Sequence, residues 1–545
     1  MKKLLRFILI LSAAPCLLLF SCGGGDTEEQ EQTTEQETKQ KQENENEQEG
    51  PFVFTYDGAG AVTKLPAPTP AWLPESWKGF NLLNMFYMGG EDRPFDETEF
   101  KMMADWGFNF VRLPMDYRIW VKSGDWNVID ERAVKNIDKA IEYGIKYGIH
   151  ICLNFHRAPG FTVASPPEDT DLWTDETTQR VFADMWAFFA ARYKNVPNEY
   201  LSFNFVNEPP DIDEAVYAAV IKKAADKIRE KDPERLLISD GLAWGSRPSR
   251  LIADMGIAQA ARGYTPFNLT HYRAEWADGS DNFPLPSWPA AVIPQFLYGV
   301  WKTDVVRTPY HIEHDFEGAY FADVNVGTVS SEARLTAAAD GATIYSNLIK
   351  SGPGEGEWKT EVYREEWDVY QNIFDKDYRI EIPAGTKVLT IEVTDGDWMT
   401  VNEIKFIPAE GIGASFSLKP NNTDWGAEIP PIKIGADGAV VMEGENVQDK
   451  KWLKENYLKP WEEIKNSGCG VMIGEWGSYN KTPHDVTLRW MEDNLQNYKE
   501  LGFGWALWNF NASFGILDSY REDVEYEDFN GYALDRAMLE LLLKY

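Results

Sequence analysis

Two glutamates stand where an apolar run stops. Glu208 follows Asn207 in YLSFNFVNEPP, and Glu475 precedes Trp476 in CGVMIGEWG. A carboxylate closing an otherwise apolar strand is costly to desolvate unless it is paired or used. Two of them in equivalent settings point to paired-carboxylate catalysis, whereas either alone reads equally well as a cap or a salt-bridge partner. Other chemistry-bearing residues break apolar runs in the same way: Arg112 in VRLP, His156 in NFHRAPG, Arg262 and Tyr264 in ARGYTPFNLTHY, and Trp508 in ALWNF. Taken singly, Arg112 is a strand-end salt bridge, His156 a structural histidine and Trp508 a core residue. The 6 histidines are scattered without metal-ligand spacing, so neither a metal site nor a cofactor is expected.

From residue 70 onward, short apolar runs alternate with amphipathic helical runs, the pattern of a parallel sheet closed by crossover helices. Eight strands are expected, near Gly79 to Leu83, Phe108 to Pro114, Ile149 to His156, Leu201 to Pro209, Leu236 to Gly241, Ile257 to Tyr264, Gly470 to Trp476 and Phe503 to Phe510. Between them, Phe182, Met185, Trp186, Phe189 and Tyr193 recur at the spacing of one buried helix face. Glu214 to Glu230, Lys451 to Lys465, His484 to Leu501 and Leu534 to Leu543 behave likewise. The fold class expected is an α/β (β/α)8 barrel, whose catalytic side chains sit at the C-terminal ends of the strands.

A βα unit needs roughly 30 residues, yet Tyr264 and Gly470 lie far further apart in the chain. After about Trp276 the helical period vanishes, and runs such as Ala333 to Ala337, Tyr378 to Ile382, Val388 to Val393 and Val401 to Ile407 alternate apolar and polar residues. Pro383-Ala384-Gly385 and Asp395-Gly396-Asp397 read as turns between them. An all-β, sandwich-like domain inserted between strand 6 and helix 6 is therefore expected. The organisation is a barrel of residues 51–276 and 440–545 interrupted by an insertion of residues 277–439.

The N-terminus is set apart from the fold. Lys2 and Lys3 precede an apolar run from Leu4 to Phe20, which reads as an export signal. The string Leu19-Phe20-Ser21-Cys22 resembles the lipobox of a bacterial lipoprotein, implying a signal and lipobox over residues 1–22 with Cys22 as the lipidated new N-terminus; an ordinary cleaved signal and an uncleaved anchor are the alternatives. Residues 23–50 hold Asp26 and nine glutamates against Lys39 and Lys41, and such a segment cannot bury enough to order itself. The expected setting is extracytoplasmic, lipid-anchored at an outer membrane or cell surface. With 87 acidic against 53 basic residues and a net charge of -34, the surface repels phosphate backbones and anionic polysaccharides. Nucleic acid is thereby an unfavoured partner, a neutral substrate a favoured one, and a monomer is expected. Of the 4 cysteines, Cys152 and Cys469 remain in the body, both beside apolar strands and read as buried free thiols.

Glu208 and Glu475, with RLP, NFHRAPG and ALWNF in this order, resemble glycoside hydrolase family 5, the (β/α)8 cellulase-type enzymes, over residues 70–276 and 440–545. The resemblance implies hydrolysis of a β-glycosidic bond with retention of configuration, Glu208 being the general acid/base and Glu475 the nucleophile. It implies that Arg112 holds the nucleophile anionic, Asn207 binds the sugar 2-hydroxyl, His156 lines the subsite where the bond breaks, and Trp508 stacks on a sugar face. The sixth strand departs from the family pattern, in which a histidine precedes a tyrosine by two residues. One alignment makes Tyr264 that tyrosine, with Arg262 in the histidine's place. The other takes His271 as the family histidine and leaves Arg273 where tyrosine belongs. The string YRIEIPAGTKVLTIEVTDGDWMTVNEIKF resembles jelly-roll carbohydrate-binding modules, so the insertion reads as a sugar-binding module, a cleft wall or a structural insertion. Trp120, Trp126, Trp173, Trp244 and Trp276 fall in loops above the strands and read as stacking platforms or as loop packing. The expected activity is an endo-β-1,4-glucanase, with an exo-glucanase, a mannanase and a non-catalytic surface glycan-binding lipoprotein as alternatives.

Overall fold

The structure, a computed structural model, describes residues 73–89, 91–409, 413–441 and 447–545. The export signal, Cys22 and the acidic spacer expected at residues 23–50 lie outside the described residues. By internal contacts the chain divides into two units. One comprises the residues up to Asp281 with Tyr457–His484 and Asn494–Tyr545, and the other comprises Asn282–Asn456 with Asp485–Asp493.

The first unit is a closed barrel of eight parallel strands: β1 Lys78–Asn81, β2 Phe110–Asp116, β3 His150–Ala158, β4 Leu201–Val206, β5 Leu236–Asp240, β6 Ala258–Gly263, β7 Val471–Trp476 and β8 Gly504–Leu507. Each pairs with its neighbour, β1 pairs with β8, and β2 pairs with β3, so no edge is left. All residues of β2 and β3 are buried, as they must be where one face meets the barrel interior and the other the helices. These strands are the eight that the apolar runs point to.

The helices α1 Glu97–Asp105, α2 Glu131–Tyr147, α3 Glu176–Tyr193, α4 Glu214–Lys231, α5 Arg250–Asp254, α6 Lys459–Asn466, α7 His484–Leu501 and α8 Arg536–Lys544 alternate with the strands. Their starts are written locally. Asp130, Asp175 and Asp213 cap α2, α3 and α4 by accepting backbone N–H groups, and Gly148 ends α2 at φ 70°. The buried face of α3 packs on the sheet, with Trp186 stacked on Phe155 of β3 at 4.1 Å and 13°, a pair that adds about 1 kcal/mol beyond its buried area. Trp120 is fully buried against Phe155 and Phe189. It is core, so of the two readings of that residue the packing one holds. Cys152 and Cys469 are free, buried thiols.

The second unit holds a nine-stranded sheet built on two long strands, Tyr320–Ala339 and Val388–Pro408, paired antiparallel with each other. Val369–Ile382 and Ala342–Lys350 flank the first, while Phe296–Tyr298, Tyr310–Glu313 and Phe416–Leu418 pair with the second. Ile312 pairs parallel with Ile432. The hydrogen bonding links all nine strands through the two long ones, each of which carries several partners along its length. One expectation is corrected. Asp395-Gly396-Asp397 is not a turn: Val388–Pro408 runs through it, and Gly396 at φ 87° sits at an irregularity in the register with Ala333. Glycine accommodates that bulge, and a Cβ there would lie 2.1 Å from the carbonyl of Glu332. Pro383-Ala384-Gly385 is a turn, as read.

Candidate active site

The strand ends of the barrel carry a buried polar layer. Asn81 of β1, Arg112 of β2, Asn154 of β3, Asn204 of β4, Asp240 of β5, Arg262 of β6 and Glu475 of β7 are each no more than 3% exposed. Arg112 organises them. Its Nε donates to Asn204 Oδ1 at 2.9 Å, Nη1 to Asn81 Oδ1 at 3.0 Å and to Glu475 Oε1 at 2.5 Å, and Nη2 to Asn207 Oδ1 at 2.9 Å. Asn81 Nδ2 reaches the carbonyl of Gly474 at 3.0 Å and Asn154 Nδ2 reaches Asn204 Oδ1 at 3.0 Å. A buried guanidinium is tolerated only when its donors are met, and here Asn81 of β1, Asn204 of β4, Asn207 just after β4 and Glu475 of β7 meet them.

Glu475 therefore lies in a cationic setting. Besides Arg112, Arg262 Nη2 is 3.1 Å from its Oε1, and Tyr264 donates its hydroxyl to Oε2 at 3.2 Å. Glu208, on the loop after β4, is differently placed. Its side chain is 18% exposed, with Arg262 Nε 3.2 Å from Oε1. Burial first, and then the charge of Glu475, push its carboxyl up to about 8. The two glutamates are thus brought to one end of the barrel with unlike environments, the condition for dividing acid and nucleophile roles between identical groups. Glu208 also adopts φ 46°, a left-handed conformation that costs a non-glycine residue about 1 kcal/mol or more. Asp240 Oδ2 holds it there by accepting the Glu208 backbone N–H at 2.9 Å.

His156 is buried between Phe86, at 4.5 Å, and Trp508, nearly parallel at 5.7 Å and 25°. Burial, followed by the charges of Arg112 and Arg262, holds its imidazole well below the usual histidine value, so it is a neutral ring. Its Nδ1 and the Nδ2 of Asn207 are buried polar atoms without a partner among the described residues; both are free to meet a ligand. Trp508 is half-buried. His271 is buried edge-on to Tyr264 at 5.2 Å and stacked on Phe267 at 4.0 Å, and burial pushes it down to about 3. It is Tyr264, and not His271, that bonds Glu475. Trp126, Trp173, Trp244 and Trp276 are half-buried; Trp173 packs on Phe161 at 5.1 Å and Trp276 on Tyr479 at 4.7 Å. Trp244 donates its backbone N–H to Pro209, beside Glu208, at 2.8 Å.

No group of three or more His, Cys, Asp or Glu among the described residues is arranged to hold a metal ion. Four members of the polar layer were not singled out from the sequence: Asn81, Asn154, Asn204 and Asp240. Asp240 carries the same signal as the glutamates, since it closes the apolar run LLIS. The asparagines sit in GFN, CLNF and SFNF, where one amide in an apolar strand gives no hint of which strand supplies its partner.

Residues 69–266 match the family model described as Cellulase (glycosyl hydrolase family 5). That stretch includes Arg112, His156, Asn207, Glu208, Asp240, Arg262 and Tyr264 and stops short of Glu475 and Trp508. The chain is 31% identical over 189 residues to endoglucanase C of Acetivibrio thermocellus, the match covering 34% of this chain and 54% of that protein. It is 27% identical over 192 residues to cellodextrinase A of Ruminococcus flavefaciens, covering 33% and 54% respectively. The chain thus spans about half the length of the curated relatives it matches. A solved structure titled as a glycoside hydrolase superposes with TM-score 0.55 at 27% identity, covering 86% of this chain and 98% of that one. The closed barrel of eight parallel strands is a (β/α)8 scaffold, and residues 69–266 of it are similar to the cellulases of glycosyl hydrolase family 5.

Proposed function

We propose that the chain is a retaining glycoside hydrolase acting on a neutral β-glycan, an endo-β-1,4-glucanase. The observation that carries the reading is the pair Glu208 and Glu475 at one barrel end, one carboxyl raised to about 8 and the other clasped by two guanidiniums and a tyrosine. In this reading Glu475 attacks the anomeric carbon while Glu208 gives its proton to the leaving oxygen. A glycosyl ester forms on Glu475, and Glu208 then takes a proton from the water that releases the sugar. The unpartnered Nδ2 of Asn207 meets the sugar 2-hydroxyl, and the half-buried Trp508 ring stacks on a pyranose face. The glucanase names of the relatives and the net charge of -34 favour a neutral glucan over a uronate polymer. The lipobox-like string ending at Cys22 supports export and lipid tethering of this domain.

The test is product release from β-1,4-glucan, β-1,3-glucan, mixed-linkage glucan, mannan and xyloglucan by a soluble form lacking residues 1–50, beside Glu208→Ala and Glu475→Ala. Release from β-1,4-glucan, lost in both variants, supports the reading. Absence of turnover on all five polymers with polymer still retained in a pull-down overturns it in favour of glycan capture.

A further inference from the structure

The sixth strand ends in a residue that touches both glutamates. Arg262 Nε lies 3.2 Å from Glu208 Oε1, and Nη2 lies 3.1 Å from Glu475 Oε1 while donating to Asn207 Oδ1 at 2.8 Å. The same Nη2 donates to Asp240 Oδ2. Asp240 is fully buried. Its Oδ1 accepts Asn204 Nδ2 at 3.0 Å, its Oδ2 also accepts the backbone N–H of Glu208 at 2.9 Å, and Arg112 Nη2 lies 3.7 Å away. The chain is shaped around this arginine. Gly245, at φ 75°, would place a Cβ 2.5 Å from Arg262 Cγ, and a Cβ on Gly474 would lie 3.0 Å from Nη1. A side chain at either position would push the guanidinium off its partners.

Charge counting gives the arrangement a consequence. Two guanidiniums, Arg112 and Arg262, face three carboxyls, Glu208, Asp240 and Glu475, so the cluster is neutral when one carboxyl carries a proton. Around Glu208 the other titratable groups are phenols, Tyr264 of the β6 end and Tyr457 before α6, whose own ionisation burial opposes; His156 of β3 is neutral. Resting on the glycosidase reading above, we propose that Asp240 and Arg262 are a positioning pair. Asp240 anchors Arg262 between the two glutamates and pins the backbone of Glu208, and the balanced pair sets the proton affinity of the acid without a histidine on the sixth strand. Neither residue donates or accepts the reacting proton; they act through Glu208.

The pair makes opposite predictions for its two halves. Asp240→Asn removes a negative neighbour, which eases ionisation of Glu208 and lowers the alkaline limb of the kcat/KM profile. Arg262→Gln removes a positive neighbour and raises that limb. Shifts of about one pH unit or more are expected for each, and the double variant, which restores the charge balance, returns to within roughly half a unit of the parent. Arg262→Lys keeps the charge and holds the limb near its parental position, so the comparison of Lys with Gln at 262 decides the matter even where Asp240→Asn folds poorly. Glu208 is also titrated directly by carboxyl 13C NMR of glutamate-labelled protein, its signal assigned by its loss in Glu208→Gln. Shifts of the same sign in both single variants, or falls in rate with an unmoved limb and titration, overturn the proposal and leave the pair a packing role. A parent protein without turnover on any polymer defeats the glycosidase reading alone, since the NMR titrations still decide whether the pair controls Glu208.

Discussion

Replacing Glu208 with glutamine removes an ionisation that the folded barrel resists. The folded-state carboxyl sits near 8 against an ordinary value of 4.5, so between those values the native protein holds a proton that the unfolded chain has released. A group raised on folding adds stability that is present in full below its unfolded value and is lost as pH rises through the folded one. At about 1.4 kcal/mol per pKa unit, the whole effect is on the order of 5 kcal/mol. Glu208→Gln lacks this dependence. The two proteins are expected to melt together near pH 4.5 and to diverge as pH rises, the variant becoming more stable until the gap levels off above pH 8. For a folding unit of this size, roughly 2 °C per kcal/mol converts the gap to about 10 °C. Scanning calorimetry at one heating rate, on both proteins at half-unit steps from pH 4.5 to 9, reads it directly. Melting curves that stay parallel within about 2 °C across that range would refute the claim that Glu208 is buried as a proton-holding acid.

The histidines work in the other direction: burial holds His150 and His271 near 3 and His156 well below its ordinary value, so stability is expected to fall by about 1.4 kcal/mol per histidine per pH unit as pH drops below about 6.5. Against the opposite slope of Glu208 this puts the melting maximum near pH 6.5, and a maximum above pH 8 would contradict it. Trp508→Ala is expected to raise KM about tenfold through loss of a stacking face, measured on the polymer that the panel identifies; an unchanged KM with lowered kcat rejects the platform role. A methyl at Gly79 would lie 1.6 Å from the carbonyl oxygen of Phe110, so Gly79→Ala is expected to open the β1–β2 pairing and cost about 3 kcal/mol or more, seen as loss of soluble protein or a Tm drop of several degrees. Cys22→Ser is expected to abolish incorporation of labelled palmitate in a bacterial host, while labelling that persists removes the lipid anchor from the account.

The balance of charge also explains why the site tolerates so much burial. A lone ionised group at such depth would shift or force the barrel open. Here Arg112 is surrounded by asparagines from β1 and β4 and the residue after it, and Arg262 by Asp240 and both glutamates. Truncating one partner therefore leaves a charge without its counterpart, which is why isosteric amides, and not alanines, are the informative substitutions in this layer.

Much of this protein is legible in the amino-acid sequence because the information is local or periodic. The eight strands are apolar runs and the helices are capped, 3.6-period segments, so each element can be read without knowing its neighbours. Glu208 and Glu475 announce themselves because a carboxylate ending an apolar strand has no local compensation. Other features depend on what lies across the fold. Closure of the barrel places Asn81, Asn154 and Asn204 around Arg112, from strands up to 123 residues apart in the chain, and no spacing rule links them. The sequence leaves two alignments of the sixth strand open, and the structure distinguishes them geometrically, since Tyr264 and not His271 reaches Glu475. Asp240 carried the right signal and yet acquires its meaning only from Arg262, Glu208 and Asn204 on adjoining strands. In the second unit the Asp-Gly-Asp string has turn composition, but pairing with the long neighbouring strand absorbs it as a bulge. Composition reports what a segment can do alone; the partners presented across a sheet decide what it does.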